Sequence, residues 1–326
     1  MILTTVIGNY PKITENASLP SIRQAIHRHD EGRLTDADLE KIFQENTVRV
    51  IQEQEALGID IITDGQLRWE DIVTPLASKI QGFKINGLTR FFNNNVYYRQ
   101  PVVIGKLLWK SPITVENFRF AKSQASHTLK AILPGPFTFA ALSDDTFYHN
   151  ERTLVLTLAE ILNQEAKALE GAGATILQFD EPALVFHKEK ATLAIEGLQK
   201  AMTGLKSKKG IRTYFGDLEG IFDSFLDTDM DFIGLDFVSS EGNRNLLRKR
   251  KSISKALGAG CIDARNTKLE NPQTLMALVQ ELVTKTPQLY VSPNCGLEFL
   301  PYASIAPKLS RLVEVVRRCN GQGGVR

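Results

Sequence analysis

Two acids, Asp180 and Glu181, follow the apolar run Thr175-Ile176-Leu177-Gln178-Phe179 with no spacer between run and charge. An apolar segment ending in carboxylates suits acid–base chemistry or capture of an ammonium group, because burial raises a carboxyl pKa and strengthens its charge interactions. The pattern recurs along the chain. Asp64 and Gln66 follow one such run, Tyr214 and Asp217 another, Asp236 ends a third, and Asp263 with Arg265 ends a fourth. Asn9 follows Leu3–Gly8, and Cys295 lies in the turn Ser292-Pro293-Asn294-Cys295-Gly296. A cysteine there could be a nucleophile, a metal ligand or a small buried hydrophobe. Arg68, Arg99, Arg212 and Arg265 could clamp a carboxylate through a bidentate guanidinium, with surface ion pairing as the competing reading. Asp180 and Asp217 are therefore candidate catalytic acids, and Arg265 a candidate substrate-binding residue. None of the five histidines ends an apolar run, and no Cys-x-x-Cys or His-x-Cys spacing occurs. No dinucleotide or phosphate-loop fingerprint accompanies the glycines, so no nucleotide cofactor is expected.

The elements that must position these groups are short. Apolar segments at Leu3–Gly8, Ile59–Gly65, Leu129–Gly135, Thr175–Asp180, Gly210–Gly216, Phe232–Val238, Gly258–Asp263 and Leu289–Ser292 alternate with amphipathic stretches. Several are apolar on both faces, as parallel strands covered on both sides require. Thr35 and Asp38 form a capping-box start, helical spacing follows through Leu57, and Gly58 ends it. Eight strands alternating with helices predict an α/β fold, a TIM (β/α)8 barrel, with a doubly wound open sheet as the alternative. Residues 81–112 read as a β-hairpin insertion. A single domain spanning 1–326 is expected, its last helix running from Ile305 to Arg318 and its final residues loose. In such a barrel the strand ends carry the active site, and carboxylates end five of the eight runs.

Composition narrows the class. Hydrophobic residues are 43% of 326, enough for a large core. With 39 Lys plus Arg against 37 Asp plus Glu, the net charge of +2 implies neither a nucleic-acid nor a membrane partner. Three widely spaced cysteines and an opening without a basic, apolar leader lead to the expectation of a reduced, cytoplasmic protein.

Four segments together carry a resemblance. Thr4-Thr5-Val6-Ile7-Gly8-Asn9-Tyr10-Pro11, Leu133-Pro134-Gly135-Pro136-Phe137-Thr138, Leu177-Gln178-Phe179-Asp180-Glu181-Pro182-Ala183-Leu184 and Val291-Ser292-Pro293-Asn294-Cys295-Gly296-Leu297 resemble, in order, four segments of the catalytic barrel of cobalamin-independent methionine synthase. The resemblance implies the TIM barrel shared with uroporphyrinogen decarboxylase, and only the C-terminal catalytic half of the full-length enzymes. It implies methyl transfer to the sulfur of homocysteine in methionine biosynthesis, with zinc keeping the thiol as thiolate. It implies substrate contacts at Ile7, Gly8, Asn9 and Asp180, and at Gln66, which stands for a glutamate of the family; Asp64 stands for a histidine. Of the family's zinc ligands, Cys295 matches the last cysteine and Asp236 replaces the glutamate, while Tyr214 and Gly216 replace the histidine and first cysteine. Zinc would therefore have an incomplete ligand set. Leu142 replaces the tryptophan that stacks on folate and Val96 an arginine of that subsite, which implies a donor other than folate, a corrinoid or corrinoid protein among them.

The leading expectation is an S-methyltransferase or related alkyltransferase acting on a thiol or amino-acid substrate. The alternatives are a metal-free lyase or decarboxylase on a small anion, using Asp180 with Arg99, Arg212 or Arg265, and a non-catalytic binding homologue.

Overall fold

The structure, a computed structural model, describes residues 1–13, 21–92, 94 and 96–322. In chain order its elements begin β1 (Ile2–Thr4), α1 (Ile22–Asp30), α2 (Asp36–Leu57), β2 (Ile61–Ile62), α3 (Thr74–Ala77), β3 (Gln81–Arg90), β4 (Tyr97–Leu108) and α4 (Val115–Gln124). They continue with β5 (Thr128–Leu129), β6 (Ala131–Pro134), α5 (Pro136–Ala141), β7 (Asp144–Asp145), α6 (Glu151–Gly171), β8 (Ile176–Asp180), α7 (Ala191–Met202) and β9 (Lys208–Arg212). The remainder is α8 (Asp223–Leu226), β10 (Phe232–Asp236), α9 (Gly242–Arg248), β11 (Ala256–Ile262), α10 (Pro272–Val283), β12 (Leu289–Pro293) and α11 (Ile305–Gln322). Each of the eight apolar runs contributes a strand: β1, β2, β6, β8, β9, β10, β11 and β12. The fold is α/β. Residues 323–326, part of the tail read as loose, lie outside the described residues, whereas α11 runs four residues past the expected Arg318.

The chain divides into two compact units. Unit 2 holds Trp69–Arg119 and Lys130–Gly234. In it β6, β8, β9 and the start of β10 run parallel in that order. Their register sets Pro134 beside Asp180, Asp180 beside Arg212, and Arg212 beside Gly234. Leu177 and Phe179 of β8 are buried, as are Leu154, Leu158, Leu162 and Leu169 of α6 and Leu198 of α7. Burial of each such side chain stabilises by about 1.5–3 kcal/mol. Asn150 starts α6 by accepting from the Thr153 amide at 2.9 Å. β3 and β4 pair antiparallel, with β7 alongside β4. Beyond β4, the buried Glu165 of α6 accepts from Trp109 Nε1 at 2.8 Å, from the Ile113 amide and, at 2.7 Å each, from the amide and hydroxyl of Thr114.

Unit 1 holds Met1–Arg68, Phe120–Leu129 and Leu235–Arg326. Here β1 pairs parallel with β12, β12 with β11, and β2 with β5. The capping box at Thr35 and Asp38 starts α2, and Gly58, at φ 83°, ends it in the left-handed region. The buried amide of Gln54 clamps the chain just after β2: its Nε2 donates to the Thr63 carbonyl at 2.8 Å and its Oε1 accepts from the Thr63 amide at 3.0 Å. Among the described residues no helix is long and apolar enough to cross a membrane.

Candidate active site

In unit 2 the sequence builds a polar cluster out of a strand. Residues two apart on β8 share a face, so Gln178 and Asp180 point the same way. Gln178 Nε2 donates to Asp180 Oδ1 at 2.7 Å, Lys130 Nζ donates to Gln178 Oε1 at 2.7 Å, and the Tyr214 hydroxyl lies 3.4 Å from Asp180 Oδ2. Arg212, the register neighbour of Asp180, shares its face. Gly234 makes room for it, since a Cβ there would lie 2.0 Å from Arg212 Cδ. All five side chains are buried. Burial raises the Asp180 carboxyl to about 6, against the Gln178 hydrogen bond and the Lys130 and Arg212 charges, which favour the ionised form. The same desolvation, aided by Arg212, lowers Lys130 well below the usual lysine range.

Glu181 faces away from this group. Its carboxylate accepts from the Phe137 amide at 2.9 Å and the Thr138 amide at 2.7 Å, capping the start of α5. It fills the space over Gly135, where a Cβ would lie 2.1 Å from Glu181 Cδ. Burial raises Glu181 to about 7. Of the adjacent acids, Asp180 belongs to a polar cluster and Glu181 to the fold. Asp217 forms an ion pair with Lys188 and accepts from the Glu219 amide at 3.0 Å. Arg99 pairs with Glu70 and Arg68 with Glu40.

Unit 1 carries the remaining candidates after β1, β2, β10, β11 and β12. Asp236 Oδ1 accepts from the Val238 amide at 2.8 Å and the Ser239 amide at 2.9 Å, and Asn294 Nδ2 lies 3.3 Å from both its oxygens. Arg265 donates to Ser239 Oγ at 3.0 Å, while Asp263 caps the Arg265 amide at 2.9 Å. Cys295 is fully buried, and burial together with Glu298 and Asp236 holds its thiol well above the usual range. Asn9 donates to Glu298 Oε1 at 3.2 Å, and its carbonyl accepts from the Leu297 amide at 2.8 Å. Ile7 and Gly8 are buried, and the Gly8 carbonyl accepts from the Thr63 hydroxyl at 3.0 Å. Gln66 is buried with φ 45°, its amide accepted by Asp64 Oδ1 at 2.9 Å. A bulky residue held in the left-handed region is backbone strain of the kind functional turns retain. Burial raises the Asp64 carboxyl.

These residues do not fit the zinc that the resemblance implies. Among the described residues no group of three or more His, Cys, Asp or Glu could hold a metal ion. Both Asp236 oxygens face N–H donors, which is the environment of a turn-capping carboxylate. At Gly216 a Cβ would meet Val185 Cβ and Cγ2 at 3.1 Å, so the space a cysteine side chain needs is crowded by a packed valine. The sequence reading missed Lys130 and Gln178. A lysine opening an otherwise apolar strand and a glutamine inside another were the available signals, since neither is buried without a partner.

The comparisons with known proteins agree with this architecture. The family model described as cobalamin-independent synthase, catalytic domain, matches residues 2–318. The methionine synthase of Saccharolobus solfataricus is 33% identical over 318 residues, covering 96% of this chain and 93% of the relative. That of Sulfurisphaera tokodaii is 33% identical, covering 95% and 90%. A solved B12-independent methionine synthase from Shewanella sp. W3-18-1, in complex with selenomethionine, superposes with a TM-score of 0.81 at 26% identity, covering 97% of both chains. A Listeria monocytogenes structure described as a putative vitamin-B12-independent methionine synthase shares the fold, with a TM-score of 0.72 at 17% identity. A cobalamin-independent family gives the expected corrinoid donor no support. The chain belongs to the cobalamin-independent synthase catalytic-domain family, a family of methyltransferases.

Proposed function

We propose that this protein is an S-methyltransferase whose acceptor is a thiol amino acid such as homocysteine, held through its ammonium by Asp180. The observation that carries the reading is the buried carboxylate of Asp180, flanked by Gln178, Tyr214, Lys130 and Arg212. A desolvated carboxylate with satisfied neighbours recognises a primary ammonium far better than one in water. Family membership and the selenomethionine complex of the Shewanella relative support an amino-acid acceptor. The alternation of eight strand segments with helices supports reading 1–326 as a single (β/α)8 barrel-type domain. Ile7, Gly8, Asn9, Gln66 and Arg265, all of unit 1, remain candidate substrate-binding residues. Asp217, salt-bridged to Lys188, remains the second candidate acid, with less to recommend it than Asp180.

The transfer forms a bond from the acceptor sulfur to the methyl carbon, breaks the carrier–methyl bond and releases the thiol proton. Above pH 6 Asp180 is ionised, able to hold the ammonium and so fix where the sulfur lies. No step is derived through a metal. On the donor side, Leu142 is buried and aliphatic, with its carbonyl accepting from the Tyr98 hydroxyl at 2.9 Å, and gives a flat pterin no stacking surface. The test supplies L-homocysteine with 5-methyltetrahydrofolate, S-adenosylmethionine or S-methylmethionine and follows methionine by mass spectrometry. Methionine formed from a donor other than the folate, with none from the folate, is expected. No methionine from any donor, with no binding of homocysteine, would overturn the proposal.

A further inference from the structure

We infer that Lys130 is a positioning residue for Asp180, acting through the side-chain amide of Gln178. The inference rests on the reading of Asp180 as an ammonium anchor, and it gives that anchor a mechanism for its orientation and charge.

The geometry is a directed chain of hydrogen bonds. Ala131 is the register partner of Leu177, so Lys130, one residue earlier, lies on the strand face shared by Gln178 and Asp180. Its position below Gln178 requires a long side chain to reach the amide, and Nζ arrives 2.7 Å from Gln178 Oε1. Below its lowered pKa Lys130 is an ammonium, which donates three hydrogen bonds and accepts none. A glutamine amide facing it must present oxygen, which turns the NH2 toward Asp180 Oδ1, also at 2.7 Å. Without Lys130 the amide could flip and set its oxygen against the carboxylate. Lys130 therefore determines which face of Gln178 Asp180 meets. The Oδ2 atom is left on the Tyr214 side, where an incoming ammonium is received.

Four other groups bear on the Asp180 charge. Arg212 on the adjacent strand favours ionisation with Lys130, as do the hydrogen bonds from Gln178 and Tyr214, while the neighbouring Glu181 carboxylate repels it. Arg212 stays in every variant below, so a change reports the Lys130–Gln178 arm.

Two variants separate positioning from packing. Lys130→Met keeps the unbranched side chain and removes the donor. Gln178→Glu keeps a partner for Lys130 but replaces the N–H that Asp180 receives with an oxygen. The Asp180 titration is read by carboxyl 13C NMR, assigned with Asp180→Asn, and L-homocysteine affinity is measured by calorimetry as pH is scanned across that transition. In both variants the titration should move upward by about one pH unit, and affinity below it should fall about tenfold, the loss closing as pH rises. A packing defect would lower affinity equally at every pH. An Asp180 titration unmoved in both variants overturns the inference. A titration that moves while homocysteine affinity does not leaves the positioning chain standing and overturns the ammonium-anchor reading.

Discussion

Gly135 and Glu181 show how closely single residues constrain this fold. The glycine sits at φ −71°, ordinary for any residue, so its small size alone matters: the Glu181 carboxylate occupies the place of its Cβ. Gly135→Ala should cost roughly 1–3 kcal/mol by overpacking, read as a lower urea midpoint. Wild-type stability would show that Glu181 does not cap α5. The Glu181 carboxyl also has a pH signature. Its folded pKa, about 7, exceeds the ordinary 4.5, so the stability it contributes is present below 4.5 and lost as pH rises through 7. Glu181→Gln should flatten that decline in a series of thermal unfolding curves, and an unaltered slope would reject the assignment. At this scale the sequence disclosed the acids but not their duties. Asp180 and Glu181 are adjacent and chemically alike, and only strand parity, which points one at Gln178 and the other at α5, separates a polar cluster from a cap. Asp236 likewise reads as a ligand in sequence and as a turn cap in space, because the amides of Val238 and Ser239 come from residues with no signature of their own.

Strands and helices were far more legible. Apolar runs and glycine stops located eight strands, and Thr35, Asp38 and Gly58 bounded α2, because capping and burial are local physics. What was hidden was how elements are tied by single buried polar groups. Glu165 lies mid-helix in α6 with nothing in its neighbourhood to mark it, yet it accepts from Trp109, Ile113 and Thr114 after β4. Glu165→Ala should strand these donors and destabilise by roughly 2–4 kcal/mol. Hydrogen exchange should then rise first over residues 109–114, whereas uniform exchange across unit 2 would mean that the tie is not local. Gln54, clamped on Thr63, does the same for the chain after β2 and was equally invisible, since its partner lies across a turn.

For the molecule as a whole, family membership follows from a match over nearly the whole chain, while the residues at the zinc-ligand positions do not fit that metal. Tyr214 and Gly216 leave a ligand set that the surrounding packing does not complete, with Val185 crowding one position and N–H donors facing Asp236. The proposed recognition of the acceptor's amino-acid end depends on a carboxylate, Asp180, and the groups that orient it. The most direct test titrates L-homocysteine into chelator-treated wild-type protein and Asp180→Asn by calorimetry at neutral pH. Wild type should bind without added metal, and Asp180→Asn should weaken binding by about 3 kcal/mol, ~100-fold. Binding that appears only when zinc is added, or that is the same in Asp180→Asn, would contradict an acceptor site anchored on Asp180.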